Sequence, residues 1–134
     1  MQADYSQTTN DIRVTVRSFY LADQSRPESG EFIWAYHIRL ENLGQRSVQL
    51  LRRTWYIVDA KGRAQMVNGE GVIGQQPVLE PGGSFEYTSG TPLATPSGFM
   101  SGLYHMVVTS TGDGFDVIIP TFSLDSPHHI GALH

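Results

Sequence analysis

The chain has 134 residues, no cysteine and a formal net charge of −4. That length suits one domain around one core. The missing thiols exclude a disulfide framework and a thiolate metal site, and the acidic balance gives no general basic surface for nucleic acid phosphates. The N-terminus lacks a signal-like pattern and no apolar run approaches the ~18 residues of a membrane span. The expectation is therefore a soluble cytoplasmic protein without membrane insertion.

Residues 1–10 are polar and read as a flexible leader. From Asp11 to Leu21, Ile12, Val14 and Val16 alternate with Arg13, Thr15 and Arg17, the period-two signature of a strand with one buried face. Asp23 to Gly30 is a loop by its turn residues. Glu31 to Glu41 is the clearest strand: Phe32, Trp34, Tyr36, Ile38 and Leu40 face one way, Ala35, His37, Arg39 and Glu41 the other. Asn42-Leu43-Gly44 turns the chain into a strand over Gln45 to Asp59, whose alternation slips near Arg52-Arg53 and so predicts a bulge. Asp59 to Gly62 reads as a hairpin loop leading to a shorter strand over Arg63 to Asn68.

A glycine-rich connection follows, then a short strand over Ser84 to Ser89. Thr91 to Gly98 carries Pro92 and Pro96 and is not expected to pair in a sheet interior. Phe99 to Ser110 and Gly114 to Leu124 are two further strands joined by a hairpin turn. Residues 128–134 read as a flexible tail, leaving 11–127 as a single domain. No window has a helical period. Seven to eight strands with regularly spaced turns predict an all-β fold, an immunoglobulin-like or fibronectin type III-like β-sandwich, with an eight-stranded barrel as the alternative. The expected core includes Val14, Trp34, Tyr36, Ile38, Trp55, Val117 and Ile119.

Gly69, Gly71 and Gly74 spell Gly-x-Gly-x-x-Gly, a spacing found where backbone cradles a phosphate. The dinucleotide form needs a helix after the loop, and Pro77 and Pro81 leave no room for one. Glu70 further disfavours a polyanion. Arg52 and Arg53 could neutralise an anion if the fold brings them near. Val72 and Ile73, framed by glycine, suit a protein contact better than a phosphate contact, with packing beneath the loop as the plainer alternative. The candidate ligand or partner loop is thus Gly69, Glu70, Gly71, Val72, Ile73 and Gly74, with Arg52 and Arg53.

For a transition metal the available ligands are His37, Glu41, His105 and the tail histidines, but none has ligand spacing. His128-His129 offers at most weak metal pick-up by composition. No metal site and no cofactor is expected. With no cysteine and no Gly-x-Ser-x-Gly elbow, no catalytic residue is assigned and the chain is read as a non-enzyme.

Several segments in order resemble the ApaG family: the strand Trp34 to Gly44, the signature Gly69 to Leu79, the stretches Tyr87 to Leu93 and Pro96 to Gly102, and the end Phe115 to Pro120 with Phe122 to Leu124. The resemblance runs from about Ile12 to Pro127. It implies a fibronectin III-like sandwich. It also carries the common label Co²⁺/Mg²⁺ efflux protein, tied to cobalt resistance and magnesium efflux. The same domain is fused to F-box and polymerase-interacting proteins in eukaryotes, which implies a protein-binding module; no catalytic mechanism comes with the family. Since a chain without a membrane span is not itself a pore, a link to divalent cations is indirect, through a protein partner such as a transporter or regulator. The alternative is a phosphate, pyrophosphate or nucleotide-binding domain using the glycine loop.

Overall fold

The structure, a computed structural model, describes residues 4–128. Nine strands are described: β1 (Tyr5–Thr9), β2 (Ile12–Tyr20), β3 (Phe32–Asn42), β4 (Val48–Asp59), β5 (Ala64–Glu70), β6 (Val78–Leu79), β7 (Ser84–Leu93), β8 (Gly98–Val108) and β9 (Gly114–Leu124). Two antiparallel sheets result. One has the order β1-β2-β3-β7; the other has the order β5-β4-β8-β9, with β6 also paired to β4. They pack face to face as a sandwich, and β9 lies against β1 and β2. The two sheets remain separate, which sets aside the barrel.

Alternation dictates the core. On β3, Phe32, Trp34, Tyr36, Ile38 and Leu40 are all buried, as are Trp55, Ile57, Val117 and Ile119 on the facing sheet. The rings interlock: Tyr36 lies 5.2 Å from Trp55, and Trp55 meets Phe122 edge-on at 6.0 Å. Such tilted arrangements suit the ring quadrupoles. Trp34 is fully buried, and its indole N–H donates to the Asp125 carbonyl at 2.7 Å, so the polar tip of the largest core side chain is satisfied. The expected bulge is present: the β4–β8 register slips between Leu50 and Arg52.

Three expectations need correction. From Tyr5 onward the expected flexible leader is strand β1, paired with β2 throughout its length. Asn10 and Asp11 both have positive φ (49° and 66°) and close this hairpin in two residues, a conformation that Asn and Asp tolerate. Tyr5 holds the strand down through its ring on Phe122 and its hydroxyl 2.9 Å from Ser123 Oγ. Secondly, β7 runs to Leu93, with Pro92 opposite Ile33. Proline is tolerated there because β7 is an edge strand. Thirdly, Val72 is buried and belongs to the core cluster instead of being presented with Ile73. In the expected tail, His128 lies against the rings of Tyr20 and Phe32; residues 129–134 are outside the described residues.

Candidate functional site

The glycine motif straddles the end of β5 and the turn beyond it. Gly69 stands opposite Arg53 in the β4–β5 ladder. The Arg53 side chain lies across Gly69, and a Cβ there would sit 2.6 Å from Arg53 Nη1. Nη1 donates to the carbonyls of Glu70 (3.1 Å) and Gly71 (2.7 Å), so the guanidinium props the loop from beneath. Gly71 has φ +63° and no room for a side chain: an added Cβ would meet the Gln75 carbonyl at 2.2 Å.

Val72 to Gln75 is a two-residue hairpin in which Val72 and Gln75 exchange both N–H···O bonds (2.8 and 2.9 Å). Its central residues, Ile73 and Gly74, have φ of +44° and +78°. Both central residues with positive φ define a type I′ turn, for which Asn-Gly is the favoured pair. A β-branched residue at its first central position is an outlier that costs ~1–3 kcal/mol. Ile73 nonetheless stands 54% exposed.

This geometry separates the candidate residues. Arg53 faces the inside of the sandwich, while Arg52, its neighbour on β4, is exposed and paired with Glu70 on the outer face. Glu70 therefore does not point at Arg53. The N–H groups of Gly71, Val72 and Gln75 are already bonded to the carbonyls of Leu51, Gln75 and Val72, so these donors are not free to cradle a phosphate. The chain continues into β6, not a helix.

Beside Arg53 a cleft of about 330 Å³ opens between β5 and the edge of β7, with Tyr36, Trp55, Val67, Tyr87, Ser89 and Thr91 among its walls. It exists because β5 overhangs the four-stranded sheet, so that its residues are exposed on both faces except for half-buried Gly69. Under Arg53, the hydroxyls of Tyr87 and Tyr104 share a 2.6 Å hydrogen bond. Burial pushes both phenols above their ordinary range, and raises Tyr36 as well, so the cleft floor stays neutral.

His37 and His105 occupy opposite outer faces. His37, on the four-stranded sheet, contacts Thr88 Oγ1 (2.9 Å) and Glu86 Oε1 (2.8 Å). Arg39 joins Glu86 to Glu41, and Arg13 binds Glu41 with two hydrogen bonds, so Glu41 is a salt-bridge partner and not an open ligand. On the five-stranded sheet, His105 bridges Asp116 Oδ1 and Thr54 Oγ1, each at 2.8 Å. The Asp-His-Thr order resembles a nucleophile relay, but Thr54 is buried and its hydroxyl donates to Asn68 Oδ1. It neither meets solvent nor hands its proton to His105. Among the described residues no group of three His, Cys, Asp or Glu side chains could hold a metal ion.

The outer face of the five-stranded sheet also carries residues that the sequence reading passed over. Tyr56 and Met66 are cross-strand partners, as are Val58 and Phe99, and Leu103 and Ile118. Tyr56, Met66, Phe99 and Ile118 are 41–59% exposed and form a band over four strands. The available signal was alternation itself: Tyr56 falls between the inward residues Trp55 and Ile57, so it had to point out.

Sheet order and core packing together define a fibronectin-like sandwich whose glycine turn is held by an inward arginine. The ApaG domain family matches residues 22–108. Protein ApaG of Rhodospirillum centenum is 63% identical over 124 residues, covering 92% of this chain and 95% of its own. Protein ApaG of Paramagnetospirillum magneticum is 62% identical with the same coverage. The chain belongs to the ApaG family. A crystal structure of a Bordetella pertussis protein described as ApaA superposes with a TM-score of 0.84 at 44% identity, covering 90% of this chain and 98% of that one. The C-terminal domain of Wzt shares the fold alone, with a TM-score of 0.53 at 11% identity over 91% of this chain and 77% of that one.

Proposed function

We propose that the protein is a non-enzymatic, cytoplasmic binding module that meets a protein partner through the outer face of its five-stranded sheet. One observation carries this: the exposed band of Tyr56, Met66, Phe99 and Ile118. The solvent face of an antiparallel sheet is ordinarily polar, and a contiguous apolar band there is the usual mark of a contact surface. Arg52, His105 and Asp116 share this face and supply a polar margin of the kind that interfaces have. Among the described residues no helix is long and apolar enough to cross a membrane.

A part in Co²⁺/Mg²⁺ homeostasis then runs through the partner, a transporter or its regulator, because His37 and His105 are too far apart in the fold to share an ion. The pyrophosphate or nucleotide alternative for Gly69–Gly74 has less behind it, since the N–H groups of Gly71, Val72 and Gln75 are already bonded and Arg52 faces away. The test is site-specific photo-crosslinking in cells, with the probe replacing Phe99 on one sheet or Arg39 on the other. A discrete crosslinked partner from position 99 and none from position 39 is expected. Equal labelling from both faces, or none from 99, overturns the proposal; a crosslink only to a second copy replaces it with a homodimer.

A further inference from the structure

The sandwich is lopsided. Each sheet is four strands wide, since β5 and β6 pair with different stretches of one edge of β4, yet β5 stays exposed along almost its whole length. Val67, on the inward face of β5, is therefore a large exposed hydrophobic residue in a position where alternation would bury it. Across the gap, β7 pairs with β3 on one side only, leaving the backbone groups of its other edge unpaired by any described strand. An unpaired edge is a template for another strand, and here that strand would also cover Val67.

The gap is a continuous groove. A second hollow, lined by Asp59, Arg63, Leu93 and Ala94, adjoins the cleft and shares Ile57, Gln65 and Pro92 with it. Apolar floor (Ile57, Val67, Trp55) alternates with polar walls (Gln65, Ser89, Thr91), as suits an extended chain whose side chains point alternately. The two ends differ. At one, Arg63 is already paired with Asp59 at 2.9 Å. At the other, Val72 and Ile73 of the strained turn line the groove beside Arg53. Among the described residues Arg53 uses only Nη1 on the protein, and no carboxylate pairs with it. A half-buried guanidinium with two free nitrogens beside neutral tyrosines suits one carboxylate held in a fork. It suits a phosphate less well, because the N–H groups of Gly71, Val72 and Gln75 are already bonded to backbone carbonyls.

We propose that this groove binds the C-terminal segment of a partner protein, which adds to the free edge of β7 as a fifth strand and sets its terminal carboxylate on Arg53. A chain end, and not a through-running loop, fits because the Val72–Gln75 turn lies across the arginine end. Strand addition to an exposed edge combined with capture of a terminal carboxylate is a known mode of peptide recognition. This surface is separate from the apolar band on the outer face.

The experiment screens an array of short peptides varied at their last positions, each made as the free acid and as the C-terminal amide. A subset of free acids binds, and the matched amides bind more weakly by roughly tenfold or more. Arg53→Gln gives the same loss. Because Arg53 also props the turn, Val67→Glu is the second variant: it leaves the turn untouched, sets a negative charge on the groove floor and abolishes binding. On binding, the amides of Thr88 and Gly90, which point away from β3, gain protection from hydrogen exchange, the signature of a new strand pair. The proposal is overturned if no free acid binds, if amides bind equally, if protection falls on the outer face instead, or if acetate alone gives the same protection.

Discussion

Trp34→Ala removes the largest fully buried side chain together with its hydrogen bond to Asp125, and costs about 3–5 kcal/mol in chemical denaturation. A loss below about 1 kcal/mol would mean that the site collapses around the deletion. This residue was legible in sequence because it sits mid-way along an uninterrupted alternation. Val72 was not, because burial beneath a turn follows from tertiary packing and leaves no periodic trace. Arg53 lies between the two cases: alternation past the bulge fixes its face, but nothing in the sequence says that Gly69 lies beneath it. Charge offers a second test at this scale. Arg13 holds the Glu41 carboxyl below its ordinary value of 4.5, first through its hydrogen bonds and then through its charge, with Arg39 adding to the effect. A depressed carboxylate contributes stability that is present above its unfolded pKa and is lost as pH falls through the folded one. Arg13→Ala should therefore raise the Glu41 midpoint in a carboxyl NMR titration and narrow the stability difference between neutral pH and the region below 4.5. An unmoved midpoint would show that the pair does not form in solution.

The turn Val72–Gln75 is where an element's preference and its sequence disagree. A type I′ turn favours Asn-Gly, and the chain has Ile73-Gly74. Ile73→Asn supplies the favoured pair and removes a β-branched residue from positive φ, so it should stabilise by about 1 kcal/mol. If the groove is a binding site, the same change weakens peptide binding, because Ile73 lines it. Gly71→Ala acts in the other direction. It combines positive φ with a 2.2 Å clash against backbone and should destabilise by more than Gly74→Ala, whose Cβ meets open space. Equal midpoints in urea for the two alanine variants would refute this ordering. Most strands were legible from alternation, and the β4 bulge from its interruption. The exceptions have physical reasons: β1 is a polar edge strand whose only strong cue was the Asn10-Asp11 turn, and β7 outruns its expected end because an edge admits Pro92.

At the scale of the whole molecule the two-sheet fold followed from turn spacing and period, since such strands bury their apolar faces only against each other. The overhang of β5 did not, because it depends on how far one sheet is offset over the other, a property of assembly and not of any segment. The same layering decides whether the protein is a metal carrier. His37 and His105 project outward from different sheets, and sheets in a sandwich lie ~10 Å apart before any side-chain length is added. A metal ion holds nitrogen ligands at about 2 Å, so one ion cannot bridge the two. Each histidine is also engaged locally, His37 by Thr88 and Glu86, His105 by Thr54 and Asp116. His37 and Glu86 alone would make a two-ligand site with the Arg39 guanidinium 3.0 Å from Glu86, a charge that opposes a divalent cation. Untagged protein exposed to Co²⁺ and then dialysed against chelator should retain no stoichiometric ion by elemental analysis. A retained equivalent that disappears in His37→Ala or His105→Ala would make the protein itself the cation's ligand and remove the need for a partner to explain a link to efflux.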